Sequence, residues 1–291
     1  MKLLIAYNSF SGKGSKYNII DYIKTELKEL YDQIDLYETE GEKSITTHII
    51  ECGSNYDTIL TVGGDGTVNE AINGIMQLEK KPKLAIVPHG TCNDIAKSLG
   101  LKSPKKAIKI IKKNESHPLN VFKLNDSFFV YGLATGGVSN ISYKVSKNAK
   151  KRLGKNAYYI NTLKTIFEKN PKTKLIIDDG EHHIEGRFYL MLALNTRYLA
   201  GVRVKGGKKI YNNSKLHIIL LKEQHRITGF ISFALHILFG YKNKNMIIFD
   251  SDKLQIKFHE DVEFNTDGEK FIPEKYLDII SINDELEVIS K

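Results

Sequence analysis

The residues best suited to chemistry in this chain fall in three short loops, each following an apolar run. The densest is Gly63-Gly64-Asp65-Gly66-Thr67-Val68-Asn69-Glu70, directly after Thr58 to Val62. Three glycines in four positions remove the Cβ atoms that would hold a phosphate away from the main chain, and they permit φ > 0 at an entropic cost. Such a loop opening a helix presents backbone N–H groups to an anion. Asp65 stands among those donors, where a carboxylate repels phosphate unless a divalent cation lies between them. A purely structural turn has little use for so many glycines together with an acid. The next loop, Pro88-His89-Gly90-Thr91-Cys92-Asn93-Asp94, follows Leu84 to Val87. Thr91 is suited to cap the helix after it, with Asn93 and Asp94 near that helix's positive end. A simple capped turn is the alternative for this loop taken alone. The earliest, Asn8-Ser9-Phe10-Ser11-Gly12-Lys13-Gly14, lacks Walker A spacing. It is either a further source of amides for phosphate or a plain strand-to-helix turn.

Each loop needs a strand to deliver it and a helix to receive it, and the first 120 or so residues supply both. Leu3 to Tyr7, Ile34 to Tyr37, Thr58 to Val62 and Leu84 to Val87 are strand-like. Helices are expected from about Lys16 to Tyr31, Lys43 to Cys52 and Thr67 to Leu78, with another after the third loop. Strands alternating with helices predict a parallel, doubly wound sheet with ligands at the carboxyl ends of its strands. Past Val121 the texture changes. Helical segments are expected near Val138 to Asn148 and Lys155 to Glu168, and beyond Pro171 strands dominate: 174–177, 184–194, 216–221, 246–249, 254–258 and 286–289. Turn signals such as Asp179-Gly180, Gly206-Gly207 and Asp267-Gly268 separate them. The expected architecture is an α/β nucleotide-binding domain over residues 1–122 and a mainly antiparallel β, sandwich-like domain over 123–291.

Bulk properties narrow the function classes. At 291 residues, 41% hydrophobic and 26% charged, the chain has the length for two globular domains. Cys52 and Cys92 cannot make a disulfide framework, and no Cys/His cluster has zinc spacing, which suits a reducing cytoplasm. Met1-Lys2 runs straight into a strand with no cleavable leader pattern. The longest apolar stretch, Ile227 to Phe239, is too short to span a bilayer. The net charge of +9 attracts anions, whether nucleic acid, lipid headgroups or phosphorylated substrates, or else reflects a lysine-rich composition. No nucleic-acid motif accompanies it, so nucleic acid is not an expected partner.

The Gly-Gly-Asp-Gly-Thr-Val-Asn-Glu run, with Pro-His-Gly-Thr-Cys-Asn-Asp downstream, resembles the catalytic domain of the diacylglycerol kinase and sphingosine kinase superfamily, especially its bacterial members. Tyr131 to Tyr143, with Gly136-Gly137, resembles the family's small-residue segment at the domain junction. Asn195 to Gly201 resembles its entry to the cleft, and Asp267-Gly268-Glu269 its Asp-Gly-Glu element. The resemblance implies a lipid kinase using ATP and Mg²⁺, with the nucleotide on the first domain and the lipid entering between domains. It implies that Asn8, Ser11, Gly12 and Thr39 contact the nucleotide. Gly63, Gly64, Asp65, Gly66 and Thr67 would hold the phosphates and the metal, joined by Glu70, Thr91, Asn93 and Asp94. Glu269 becomes the general base for the lipid hydroxyl, Asp267 sits beside it, and Asp65 is the second choice as base. Without the resemblance, Asp267-Gly268 is an ordinary hairpin turn.

Two departures from the family pattern stand out. Ser9 replaces the usual proline of the first loop. The stretch Lys205 to Lys215 contains no carboxylate, so an acidic cluster that binds an accessory structural Mg²⁺ in many bacterial members is expected to be missing. Lys144 to Lys155 carries six basic residues and no acid, a patch suited to anionic headgroups and peripheral membrane contact. Ile227 to Phe239 reads either as an interfacial helix or as a buried one. Oligomeric state is open, a homodimer included. The rival functions are an NAD kinase-like enzyme, which shares the Gly-Gly-Asp-Gly loop, and a decayed nucleotide or lipid sensor. The Thr-Val-Asn-Glu continuation and the third loop favour the lipid branch, and Asp65 with Glu269 argues for retained chemistry.

Overall fold

The computed structural model describes residues 1–9, 19–136, 173–205, 214–267 and 269–291. The first sheet is built from β1 (Lys2–Tyr7), β2 (Gln33–Glu38), β3 (Thr58–Gly63), β4 (Lys83–Pro88) and β5 (Ser116–Pro118). Leu3 to Ala6 and every residue of β3 are buried, the mark of strands covered on both faces. Five helices flank them: α1 (Ile19–Leu27), α2 (Ser44–Cys52), α3 (Asp65–Ile75), α4 (Asp94–Ser98) and α5 (Pro104–Ile111). Pro104 opens α5 behind Ser103, whose hydroxyl accepts from the Lys106 amide at 3.4 Å. A Cβ on Gly74 would come within 2.8 Å of Ile49, so that glycine lets α3 lie close against α2.

The parallel strands run in the order β2-β1-β3-β4. The strand order therefore reverses between the parallel neighbours β1 and β3, and the crevice at their carboxyl ends is where an open α/β sheet takes its ligand. The strand ends leading to Asn8 and to Gly64 flank that crevice.

The second sheet is antiparallel and larger. It comprises β6 (Val121–Leu124), β7 (Ser127–Phe129), β8 (Gly132–Gly136), β9 (Thr173–Asp178), β10 (His183–Leu194), β13 (Leu216–Lys222), β14 (Met246–Ser251), β15 (Lys253–Lys257), β16 (Phe264–Thr266), β17 (Glu269–Phe271) and β18 (Tyr276–Ile282). A two-stranded ribbon of β11 (Tyr198–Leu199) and β12 (Val202–Arg203) stands beside it. The long strand β10 changes neighbours at an irregularity between Phe188 and Leu190: its first half pairs with β9, its second with β8 and β13. Its burial changes with it, from alternating to continuous. Helix α6 (Arg226–Phe239) packs Phe233 and Ile237 onto this part of the sheet, against Tyr189, Leu192 and Ile219.

Strand β19 (Glu287–Ile289) does not stay with the second sheet. It inserts between β4 and β5, parallel to the former, and Leu286, Val288 and Ile289 join the first core. The expected division at residue 122 thus needs this correction at the C-terminus. The chain crosses back because the edge of β4 otherwise lacks a partner. Helices expected over 138–148 and 155–168, and the basic stretch 144–155, lie outside the described residues. So does most of the acid-free stretch, 206–213.

Candidate active site

The second loop forms because β3 ends on a glycine that nothing larger could replace. A Cβ on Gly63 would lie 2.2 Å from Thr67 Oγ1. Gly64 then occupies the N-cap position of α3 in an extended conformation, with no side-chain cap. The helix begins at Asp65, earlier than the Thr67 start expected from sequence, because an acid in the first turn favours the positive helix end. A Cβ on Gly66 would meet nothing within 4 Å. The first turn of α3 therefore presents bare backbone to open space, a cradle that suits phosphate oxygens.

The third loop meets the second at close backbone approach. A Cβ on Gly90 would fall 2.4 Å from Gly64 Cα, and the His89 amide donates to Gly63 O at 2.7 Å. Asn93 holds the turn: it adopts φ 54, its Oδ1 accepts from the Gly90 amide at 2.8 Å, and its Nδ2 donates to Gly90 O at 2.9 Å. The N-cap residue of α4 is Asn93 rather than the expected Thr91, and the Asn93 side chain makes no cap bond. Asp65 supplies one across the gap, with Oδ1 accepting from the Ile95 amide at 3.0 Å. The first loop adjoins the same place, the Asn8 amide donating to Val62 O at 3.0 Å. Ser11 and Gly12 lie outside the described residues.

Asp65 is thus a partly buried carboxylate among backbone donors. Burial first, then the nearby charge of Asp94, push its pKa up to about 6, and the α4 amides only partly offset this. A divalent cation would relieve that mismatch, so the residues present fit one.

The other acids differ in their commitments. Asp94 is buried and accepts from the Gly201 amide at 2.8 Å, Tyr131 OH at 3.1 Å and Lys97 Nζ at 3.3 Å. Tyr131 OH in turn accepts from the Ala200 amide at 2.8 Å, so Asp94 faces the entry loop of the second sheet rather than the glycines. Ser98 and Thr196 add a hydroxyl pair at 2.5 Å across the same junction. Asp267, at φ 49, is buried and accepts from four donors. These are the amides of Val130, Tyr131 and Gly132, each at 3.0 Å, and Asn69 Nδ2 at 2.6 Å. Burial still raises its pKa. It is more than the turn residue expected from sequence alone, and its oxygens are spent on fixing β8 to α3.

Glu269 is exposed and opens β17, where its backbone pairs with Thr266, and its side chain has no hydrogen bond among the described residues. It stands near enough to Glu70 that its charge raises the Glu70 pKa, although burial is the larger cause. Glu70 is half-buried and accepts from the Ile45 amide at 3.3 Å. Five residues separate Asp65 from Glu70 on α3, about 7.5 Å of helix rise, so Glu269 looks onto the helix a turn and a half beyond the glycines. Thr39 is buried, donating to Gly41 O at 2.9 Å and pairing with Ser44 Oγ at 2.8 Å.

Sequence reasoning gave no role to Asn69, Asn73 or Asn195. Asn73 exchanges two bonds with the Phe128 main chain at 2.8 and 2.9 Å, and Asn195 Nδ2 donates to the carbonyls of Asn120 and Val130 at 2.9 Å. Asn69 and Asn73, four apart on α3, were the available signal. A separate cavity of about 370 Å³ opens between Tyr56, Asp57, Lys81 and Glu285, at the amino ends of the parallel strands and about 20 Å of strand from the glycine loops. Among the described residues no group of three or more His, Cys, Asp or Glu is arranged to hold a metal by itself.

A parallel α/β domain with two interlocked glycine turns at its switch point, roofed by an antiparallel sheet that sends an acid toward the same helix, defines a two-domain kinase. Residues 2–124 match the family model of the diacylglycerol kinase catalytic domain. The diacylglycerol kinase of Bacillus subtilis (strain 168) is 26% identical over 258 residues, covering 83% of this chain and 84% of that protein. That of Staphylococcus haemolyticus (strain JCSC1435) is 29% identical over 280 residues, covering 91% and 81%. A solved candidate diacylglycerol kinase from Bacillus anthracis str. Sterne aligns over 100% of this chain and 97% of its own, with a TM-score of 0.83 at 28% identity. Residues 2–124 carry the diacylglycerol kinase catalytic domain, most of the chain aligns with proteins named diacylglycerol kinase, and it is a lipid kinase.

Proposed function

We propose that the protein transfers the γ-phosphoryl group of ATP to the hydroxyl of a diacylglycerol, giving phosphatidic acid. The observation that carries this reading is Asp65, a carboxylate at the N-terminus of a helix that is preceded by Gly63-Gly64, contains Gly66 in its first turn and lies against the Gly90 turn. In phosphoryl transfer the protein mainly positions the reactants and neutralises charge.

The amides of residues 63–67 receive the phosphate oxygens, with Asn8, Thr39 and Thr91 around the rest of the nucleotide. Asp65 would hold Mg²⁺, which supplies neutralisation of the charge on the transferring group. Glu269, exposed and uncommitted, accepts the proton of the attacking hydroxyl. Asp267 and Asn69 keep the strand carrying Glu269 fixed over α3. Asp94, through Tyr131 and Gly201, holds the second domain's entry loop against the third glycine loop.

The test is an acceptor panel with labelled ATP and Mg²⁺: diacylglycerol, phosphatidylglycerol, sphingosine and NAD. Label in phosphatidic acid is expected. Transfer to NAD alone overturns the lipid assignment, and transfer to phosphatidylglycerol or sphingosine alone moves it to another lipid.

A further inference from the structure

The outer face of α6 is apolar where it should meet water. Ile227, Ile231 and Leu235 recur every four residues and Leu238 and Phe239 continue the line, which places all five on one stripe about 18 Å long. Their exposures are large: 62% for Ile227, 49% for Ile231, 50% for Leu238 and 68% for Phe239, with Tyr241 at 50% just beyond the helix. The opposite face is used up by the core through Phe233 and Ile237, so the stripe is surplus to folding. A contiguous apolar surface of this kind marks an interaction site.

Charge says what covers it. Between Arg197 and Phe249 the chain carries ten Lys and Arg residues against one acid, Glu223. That stretch has a net charge of +9, the whole excess of the chain, so the other residues sum to zero. Arg203, Lys205, Lys242 and Lys244 are exposed and lie on segments bordering the helix. An apolar stripe bordered by cations is complementary to an anionic bilayer, with side chains entering the acyl boundary and lysines meeting headgroups. No helix among the described residues is long and apolar enough to cross a membrane, so contact would be made on the surface.

The stripe is also wired to the site. The Lys205 amide donates to Ile237 O at 3.0 Å, and four residues upstream the Gly201 amide reaches Asp94 at 2.8 Å. We propose that the exposed stripe of α6, with the cations bordering it, is the surface by which this protein docks on an anionic lipid bilayer. Docking there would set the entry loop, and the cleft behind it, against the membrane. This rests on the lipid-kinase reading only for its purpose; the binding itself is measured separately.

The experiment is co-sedimentation with phosphatidylcholine vesicles, with and without phosphatidylglycerol. Wild type should bind the anionic vesicles and lose them on added salt. Ile231→Gln/Leu238→Gln should weaken that binding at least about tenfold, since two bilayer-inserted side chains are withdrawn. Lys242→Glu/Lys244→Glu, away from any packing, should weaken binding to anionic vesicles only. Thermal melts verify that both variants fold. Unchanged binding by both variants overturns the proposal. So does a wild type that binds no vesicle, or a dimer that the Ile231/Leu238 variant converts to monomer with vesicle binding intact. Turnover on a short-chain diacylglycerol dispersed as monomers should be equal in all three proteins. If wild type fails on that substrate while still binding vesicles, the chemistry assigned above fails and the docking surface stands.

Discussion

Asp65→Asn removes a charge that burial disfavours while keeping an oxygen for the Ile95 amide. The Asp65 pKa rises from 3.8 to about 6 in the folded protein. Because the folded state binds the proton more tightly than the unfolded chain, ionisation at Asp65 costs stability as pH rises. Two pKa units and a fraction correspond to about 3 kcal/mol at pH 8, about half of that at pH 5, and little by pH 4. Imperfect replacement by an amide beside Asp94 reduces the gain, so about 1–3 kcal/mol of added stability is expected at pH 8 without nucleotide. The measurement is urea unfolding of both proteins at pH 4, 5 and 8. The difference should be largest at pH 8 and shrink steadily toward pH 4. Asp267 and Glu70, whose pKa values burial also raises, titrate in both proteins and largely cancel. The same variant should lose turnover with Mg²⁺ and ATP. A variant less stable than wild type at pH 8, or a difference independent of pH, would refute the view of Asp65 as a charge waiting for a cation.

Gly90→Ala drives a methyl to 2.4 Å from Gly64 Cα and should cost about 1–3 kcal/mol while weakening nucleotide binding, both readable by calorimetry. Asp267→Ala strands three buried amides and Asn69, and should lower unfolding free energy by about 3–5 kcal/mol in urea titrations. Tyr131→Phe leaves Asp94 and the Ala200 amide each short of a partner. It should cost about 1–3 kcal/mol in the same titrations and lower turnover more than ATP affinity, because the junction loosens while the glycine loops stay intact.

What could be read beforehand was whatever the backbone demands locally. Four strand-like runs alternating with helices announced a parallel sheet, and the glycines at 63, 64 and 66 announced a main chain open to close approach, because only a missing Cβ permits it. The pairing of loops two and three followed from strand adjacency. What escaped was set by distant partners. Asp267 looks like a turn residue in sequence because its four donors come from residues 69 and 130–132. The strand at 287–289 was legible as a strand, but its return to β4 depends on an open edge elsewhere in the chain. Asn93 and Asp94 were expected to face a ligand, and both side chains instead hold the main chain, one within its loop and one across the domains. The periodicity of Ile227 to Phe239 gave the helix, yet which face it would leave in water depended on the packing of Phe233 and Ile237.

A single-turnover measurement on Glu269→Gln reaches the core of the mechanism, with enzyme in excess over labelled ATP and a diacylglycerol acceptor. Nucleotide affinity should change by less than about threefold while the phosphoryl-transfer step slows by about 10²–10⁴. Transfer at the wild-type rate would contradict the assignment of Glu269 as the acceptor of the hydroxyl proton across the cleft from the Asp65 loop.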